Sequence, residues 1–145
     1  KTHPDYERIL DIYIKMCRGL KSVQDKSTGG WFMVVDKGDN PLNFIDPSGT
    51  AMFVYSLRRG INLGLLKPKE YMPVVTKGYE SLRPFIQVNE QGLLDVIGAC
   101  DGVVIKKNFI EYVTVPKILN AKEAVAGVLW AAVIMESDKL IINNE

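Results

Sequence analysis

The sequence has few of the residues from which metal sites and nucleophilic triads are built. It contains one histidine, His3, and two cysteines, Cys17 and Cys100, which do not form a C-x-x-C pair. This composition argues against a zinc site or a histidine-dependent triad assembled within this chain. We therefore expect no metal and no cofactor. Cys17 lies on an apolar helical stripe and is expected to be a buried thiol.

Long hydrophobic segments and blocks of charge are also missing. No apolar run approaches the roughly 18 residues of a membrane-spanning helix, and 18 basic residues stand against 17 acidic ones. The lack of a basic block argues against nucleic acid or a membrane surface as a partner. With 145 residues and 47% hydrophobic content, the chain can bury the core of one domain.

The first part of the chain predicts an amphipathic helix followed by a buried one. Apolar residues recur at helical spacing over 6–20, and a turn cluster follows at 25–30. Residues 31–35 predict a short strand. A second helix is expected over about 48–59, with Ser48 as its N-cap, and its almost continuous apolar surface indicates burial.

The same order returns about sixty residues later. An apolar stripe over 71–86 predicts a helix with Pro73 in its first turn and Pro84 at its end. A short apolar run at 93–97 follows a turn that ends in Gly92. This turn matches the earlier one at Gly30.

The remainder of the second unit predicts a hairpin and a final helix. Residues 103–105 and 109–115 are expected to pair as strands. The last helix is expected over about 121–135, with Asn120 and Glu123 forming a variant of the capping box. Trp130 lies among alanines on this helix and is expected to be a core residue.

Two units of one outer and one inner helix predict an all-α fold. The expected architecture is part of an α/α toroid, with αα-hairpins at about 1–66 and 67–145 and short β-strands in the loops. A closed ring of six hairpins needs on the order of 400 residues. The chain is therefore expected to be the C-terminal part of a larger barrel.

The loops before the two inner helices carry the candidate binding residues. Trp31 is expected to stack on a sugar ring, with a core tryptophan as the alternative. The loop carboxylates can bind sugar hydroxyls or form turns, and Ser48 can face a pocket or cap its helix. Cys100 and Asp101 occupy the equivalent loop of the second unit. The candidate substrate-binding residues are Trp31, Asp36, Asp46, Ser48, Thr50, Cys100 and Asp101.

The order of motifs resembles the unsaturated rhamnogalacturonyl hydrolases of glycoside hydrolase family 105. The resemblance rests on residues 30–39, 48–55, 79–80, 92–100 and 111–116 and covers nearly the whole chain. It implies an (α/α)6 barrel and removal of an unsaturated galacturonyl residue from pectin-derived oligosaccharides. By this resemblance, an aspartic acid hydrates the C4–C5 double bond of that sugar, and the resulting hemiketal collapses to break the glycosidic link.

The resemblance also limits what this chain supplies. The family's catalytic aspartate lies upstream of every matched segment, so no catalytic residue is assigned here. The expected partners are an oligosaccharide and either the missing N-terminal half of the barrel or further copies of the chain. The family implies a cytoplasmic or periplasmic location. A related unsaturated glucuronyl hydrolase and a non-catalytic carbohydrate-binding or interaction module remain as alternatives.

Overall fold

The computed structural model describes residues 3–142, and the side chains of residues 3–137. The described residues form five α-helices, one 3₁₀ turn and four short strands. The helices are α1 (Tyr6–Ser22), α2 (Pro47–Asn62), α3 (Pro68–Glu80), α4 (Phe109–Val113) and α5 (Lys122–Ile142), and the strands are β1 (Ile86–Val88), β2 (Leu94–Val96), β3 (Ala99–Cys100) and β4 (Lys117–Ile118). None of the helices within 3–142 is long and apolar enough to span a bilayer.

The inner helices α2 and α5 pack side by side and run in the same direction. The first turn of α2 faces Gly127, where an added Cβ would lie 3.3 Å from the Ala51 Cβ. One turn further along both helices, the rings of Tyr55 and Trp130 lie 5.8 Å apart. Because both contacts move toward the C-terminus in α2 and in α5 alike, the two helices are parallel. They therefore begin at the same end of the molecule.

The outer helix α3 runs antiparallel to α2. Gly78, near the C-terminal end of α3, packs against Val54, whereas the Met72 sulfur accepts a hydrogen bond from Arg58 one turn later in α2. The outer helix α1 contacts α2 through Tyr13, whose hydroxyl donates to the Ser56 carbonyl oxygen at 2.9 Å. Burial is the largest cause that raises the pKa of Tyr13.

The predicted hairpin at 103–115 is wrong. Residues 109–113 form α4 because the Asn108 side chain accepts a hydrogen bond from the Glu111 amide at 3.1 Å and caps the helix. Residues 103–105 have no regular structure. The strands that do form are the antiparallel pair β1 and β2, joined by the turn at Gly92, and the antiparallel pair β3 and β4.

Three further sequence expectations are corrected. Residues 31–35 make a single bridge, from Phe32 to Ile45, instead of a strand. Pro68, not Pro73, occupies the first turn of α3, and Pro73 lies inside that helix. Asn120 does not cap α5, because its side chain accepts from the Val96 amide and donates to Asp95, both at 2.8 Å. Asn120 therefore fixes β2 beside the start of α5.

Two apolar faces lie at the flanks of the structure. One consists of Ile9, Ile12 and Met16 on α1, and the other of Leu129, Trp130 and Val133 on α5. Trp130 is 54% exposed, so its expected place in the core is wrong. Its ring contacts Tyr55 of α2 along one side, while the more deeply buried positions of α5 are taken by small residues such as Ala124 and Ala131. Exposed faces of this kind are typical of interaction surfaces, and association through them stays a prediction.

Close packing of α3 depends on Gly78. A Cβ at this position would lie 2.8 Å from both the Trp31 ring and Val54, which are almost completely buried and cannot move aside. We expect Gly78→Ala to lower the free energy of unfolding by about 1–3 kcal/mol through overpacking. Urea or thermal unfolding measures the change.

Gly19 provides the matched control, because it lies inside α1 and nothing approaches its Cβ position within 4 Å. Gly19→Ala is expected to raise stability by about 0.5–1 kcal/mol through helix propensity. Equal effects of the two substitutions would contradict the packing described for Gly78.

Candidate functional site

The candidate site lies at the end of the molecule where both inner helices begin. We call this end the mouth and define it by residues 31–48 and 99–123, the segments that lead into α2 and α5. Because the two helices are parallel, both long connections reach the same end, while the short link between α2 and α3 lies at the other. The fold therefore brings together the two loops that carry the sequence-predicted binding residues.

Asp46 is the N-cap of α2. Its carboxylate accepts hydrogen bonds from the amides of Ser48 and Gly49 at 3.1 and 3.0 Å and from the Ser48 hydroxyl at 2.7 Å. Ser48 therefore does not cap the helix, contrary to the sequence expectation. Its hydroxyl donates to Asp46, which leaves the lone pairs of its oxygen available to a sugar hydroxyl.

Trp31 and Thr50 lie in the core beneath the mouth. Trp31 is 1% exposed, and its indole nitrogen donates to the Leu20 carbonyl oxygen at 2.7 Å. The fully buried Thr50 hydroxyl accepts from the Trp31 amide at 3.1 Å. Neither side chain faces solvent, so the expectation that Trp31 stacks on a sugar ring and that Thr50 points into a pocket is wrong. Both residues hold the loop onto α2.

Asp36 lies in an exposed turn of the first mouth loop. Its carboxylate lies 4.0 Å from the ammonium of the neighbouring Lys37, and both side chains are more than half exposed. Asn43 organises this loop, because its amide group donates to the carbonyl oxygens of Val34 and Lys37, both at 2.9 Å. The loop thus presents Asp36 to solvent without fixing its carboxylate.

Cys100 connects the second loop to the first. It is buried on β3, and its thiol donates to the Val115 carbonyl oxygen at 3.7 Å. Burial raises the pKa of the Cys100 thiol, the nearby Asp46 carboxylate raises it further, and Lys117 opposes both. Cys100 and its strand partner Lys117, both in the second hairpin, therefore lie close enough to interact with Asp46 of the first hairpin. Asp101, the next residue, is exposed.

Sequence reasoning missed two charged side chains at the mouth. The Lys117 ammonium lies 3.6 Å from the centre of the Phe44 ring and so bridges the two loops by a cation–π contact. Glu123, in the first turn of α5, has one buried carboxylate oxygen, Oε2, without a hydrogen-bond partner. The sequence marks Glu123 only as a capping residue. No local signal marks Lys117, because Lys117 and Phe44 are brought together only by the packing of the two hairpins.

The mouth contains groups that suit a polar, charged organic ligand. It offers the hydroxyl of Ser48, the exposed carboxylates of Asp36 and Asp101, and the ammonium of Lys117. Within the part of the chain that the structure describes, no three histidine, cysteine or acidic side chains form a group that could hold a metal ion. The arrangement can bind hydroxyl groups and an anionic group together.

Comparison with solved structures identifies the architecture. The chain matches a family 105 glycoside hydrolase from C. acetobutylicum ATCC 824 with a TM-score of 0.84 and 26% identity. The match covers 93% of this chain and 39% of that one. Such structures have the (α/α)6 toroid fold, so the all-α fold and the resemblance to family 105 predicted from the sequence are confirmed.

Two curated proteins are also similar to this chain in sequence. The 24.9 kDa protein in the picA locus of Rhizobium radiobacter is 31% identical over 101 residues, which are 66% of this chain and 43% of that protein. An unsaturated 3S-rhamnoglycuronyl hydrolase from Alteromonas sp. (strain LOR) is 32% identical over 83 residues, 55% of this chain and 19% of its own length. The chain thus spans less than half the length of these relatives.

The family assignment rests on the longest of these matches. A family model described as Glycosyl Hydrolase Family 88 matches residues 1–138, which include both hairpins and both mouth loops. The chain therefore belongs to glycosyl hydrolase family 88.

Proposed function

We propose that this chain forms part of a glycoside hydrolase that acts on unsaturated galacturonyl–rhamnose oligosaccharides derived from pectin. The observation that carries the proposal is the family match over residues 1–138 together with two loops that meet at one mouth. Family membership supports a glycosidase, and the Alteromonas relative, named an unsaturated 3S-rhamnoglycuronyl hydrolase, supports an unsaturated uronyl sugar as the substrate class.

The proposed reaction hydrates the substrate instead of displacing a group at the anomeric carbon. A carboxylic acid protonates the enol ether at C4, and a water molecule adds its hydroxyl group to C5. The other proton of that water returns to the carboxylate. The hemiketal at C5 opens to a ketone as its hydroxyl proton passes to the ring oxygen, which leaves a hemiacetal at C1. That hemiacetal collapses to an aldehyde, and its hydroxyl proton leaves with the aglycone as an alcohol. This route differs from the two-carboxylate mechanisms of most glycosidases, and we propose that its acid lies outside these 145 residues.

In this proposal the mouth binds the sugar and does not donate the proton. Ser48 and the exposed Asp36 and Asp101 offer hydrogen-bond acceptors to sugar hydroxyls. Asp46 acts by fixing the start of α2, since its carboxylate is occupied by three groups of its own helix. Cys100 is a buried residue that pairs with Lys117 across β3 and β4, and the ammonium of Lys117 is the group that attracts the uronate carboxylate.

The activity is tested by following the absorbance of the double bond in an unsaturated galacturonyl–rhamnose disaccharide. We expect the absorbance to fall when the 145 residues are joined to the upstream hairpins, and to stay at the background rate with these 145 residues alone. Turnover by the short form would contradict the assignment of the acid to another segment. No turnover by the longer form would exclude the proposed substrate and favour a non-catalytic carbohydrate-binding module.

Lys117 provides a residue-level test of how the substrate is held. We expect Lys117→Gln to raise the KM for the unsaturated disaccharide about tenfold with little change in kcat, because a charged group that binds ground and transition states equally affects KM alone. The matched control is Lys15→Gln on α1, which lies outside the mouth and has an exposed ammonium. Equal KM values for both variants would contradict a role for Lys117 in substrate binding.

A further inference from the structure

Glu123 is a charged residue of the mouth to which the proposed function gives no role. It lies in the first turn of α5, and its side chain is 36% exposed, so it stands at the boundary between the mouth and the interior. Its Oε1 lies 3.9 Å from the exposed Lys122 ammonium. Its Oε2 is buried, and no group of the described residues donates a hydrogen bond to it. A buried acceptor without a donor lowers stability, so this oxygen calls for an explanation.

Helix geometry directs Glu123 toward the start of α2. Residues four apart lie on the same face of a helix, and Gly127 is four residues after Glu123. A Cβ on Gly127 would lie 3.4 Å from the Ser48 carbonyl oxygen, so this face of α5 packs on the first turn of α2. Helical side chains lean toward the N-terminus of their helix, which in α5 is the end at the mouth. Glu123 therefore faces the start of α2 from one turn nearer the mouth.

The second mouth loop is also a neighbour of the Glu123 carboxyl group. A Cβ on Gly102 would lie 3.9 Å from Glu123 Oε1, which is an ordinary contact distance. Gly102 follows the exposed Asp101. Glu123 thus touches the loop that carries Asp101 and faces the helix start that carries Ser48.

A ligand in the mouth can supply the donor that Oε2 lacks. The Ser48 hydroxyl donates to Asp46 at 2.7 Å, so its proton is already used. A sugar hydroxyl that enters the mouth brings a further donor. The last torsion of a glutamate side chain is broad, so a rotation of the carboxyl group can turn Oε2 toward the mouth.

A carboxylate distinguishes a free hydroxyl group from its sulfate ester. It accepts hydrogen bonds and donates none, so it pairs with the hydroxyl group. The sulfate ester has only acceptor oxygens and carries a negative charge, which a neighbouring carboxylate repels. Repulsion of the wrong ligand is a common source of specificity.

We infer that Glu123 is a specificity-determining residue, which accepts a hydrogen bond from a free hydroxyl group of the sugar next to the uronate and rejects a sulfate ester at that hydroxyl. The identity of the ligand rests on the proposed function, whereas the choice between hydroxyl and sulfate rests on Glu123. The mouth then has two electrostatic ends. Lys117 binds the uronate carboxylate, and Glu123 selects the neighbouring sugar.

The experiment compares the unsaturated galacturonyl–rhamnose disaccharide with monoesters that carry sulfate on each rhamnose hydroxyl group in turn. We expect calorimetry to show that at least one ester binds about tenfold more weakly than the free disaccharide. Glu123→Gln is expected to remove most of this difference, because an amide group can donate to sulfate. Glu123→Asp keeps the charge and is expected to keep the rejection. The matched control is Glu7→Gln, which changes the glutamate in the first turn of α1 and leaves both affinities unchanged.

Two results would overturn the inference: equal binding of the free disaccharide and all its esters, or a preference that Glu123→Gln leaves intact. Assays of double-bond loss separate this inference from the proposed function. A preference that depends on Glu123, without turnover by the extended protein, would contradict only the proposed reaction. Turnover of the free disaccharide and its esters at equal kcat/KM would contradict only the role of Glu123.

Discussion

The packing of Trp31 between three helices is the contact on which the rest of the structure depends. The indole nitrogen bonds to the last turn of α1, the ring edge meets Phe53 of α2 at 5.6 Å between centroids, and Gly78 of α3 lies against its other edge. A buried tryptophan contributes several kcal/mol through burial and packing. Because the residue precedes the first mouth loop, the same contact anchors the loop that presents Asp36, Phe44 and Asp46.

Small residues in α5 allow the second hairpin to pack closely against the first. Gly127 lets α5 approach the first turn of α2, and Ala124 and Ala131 line the same side of the helix without adding bulk. The two inner helices then start side by side, which brings Lys117 over Phe44 although the residues lie far apart in sequence. The mouth is thus a consequence of helix packing, with its charged groups supplied by loops that have little regular structure.

The sequence predicted helices well because their apolar periodicity is a local property. It predicted the surroundings of both tryptophans wrongly. Trp31 follows a glycine pair before a polar loop, which suggests exposure, yet the neighbouring helices cover it. Trp130 lies among alanines, which suggests burial, yet its ring contacts Tyr55 on one side and remains 54% exposed. Burial depends on neighbours distant in sequence. For the same reason Lys117 gave no signal, and Glu123 was recognised only as a capping residue. At Asn108, by contrast, a local interaction decided the structure. Its side chain caps residues 109–113, so an apolar run that suggested a strand forms α4.

Fluorescence of Trp31 tests the central claim most directly, because the chain has two tryptophans and Trp130→Phe leaves one. In that variant we predict emission at short wavelength that resists acrylamide quenching and does not change when oligosaccharide saturates the mouth. Emission at long wavelength, ready quenching, or a shift that follows saccharide concentration would contradict the account. Such a result would show that Trp31 is an exposed, sugar-stacking residue. It would also mean that Trp31 does not hold the first mouth loop against the helices.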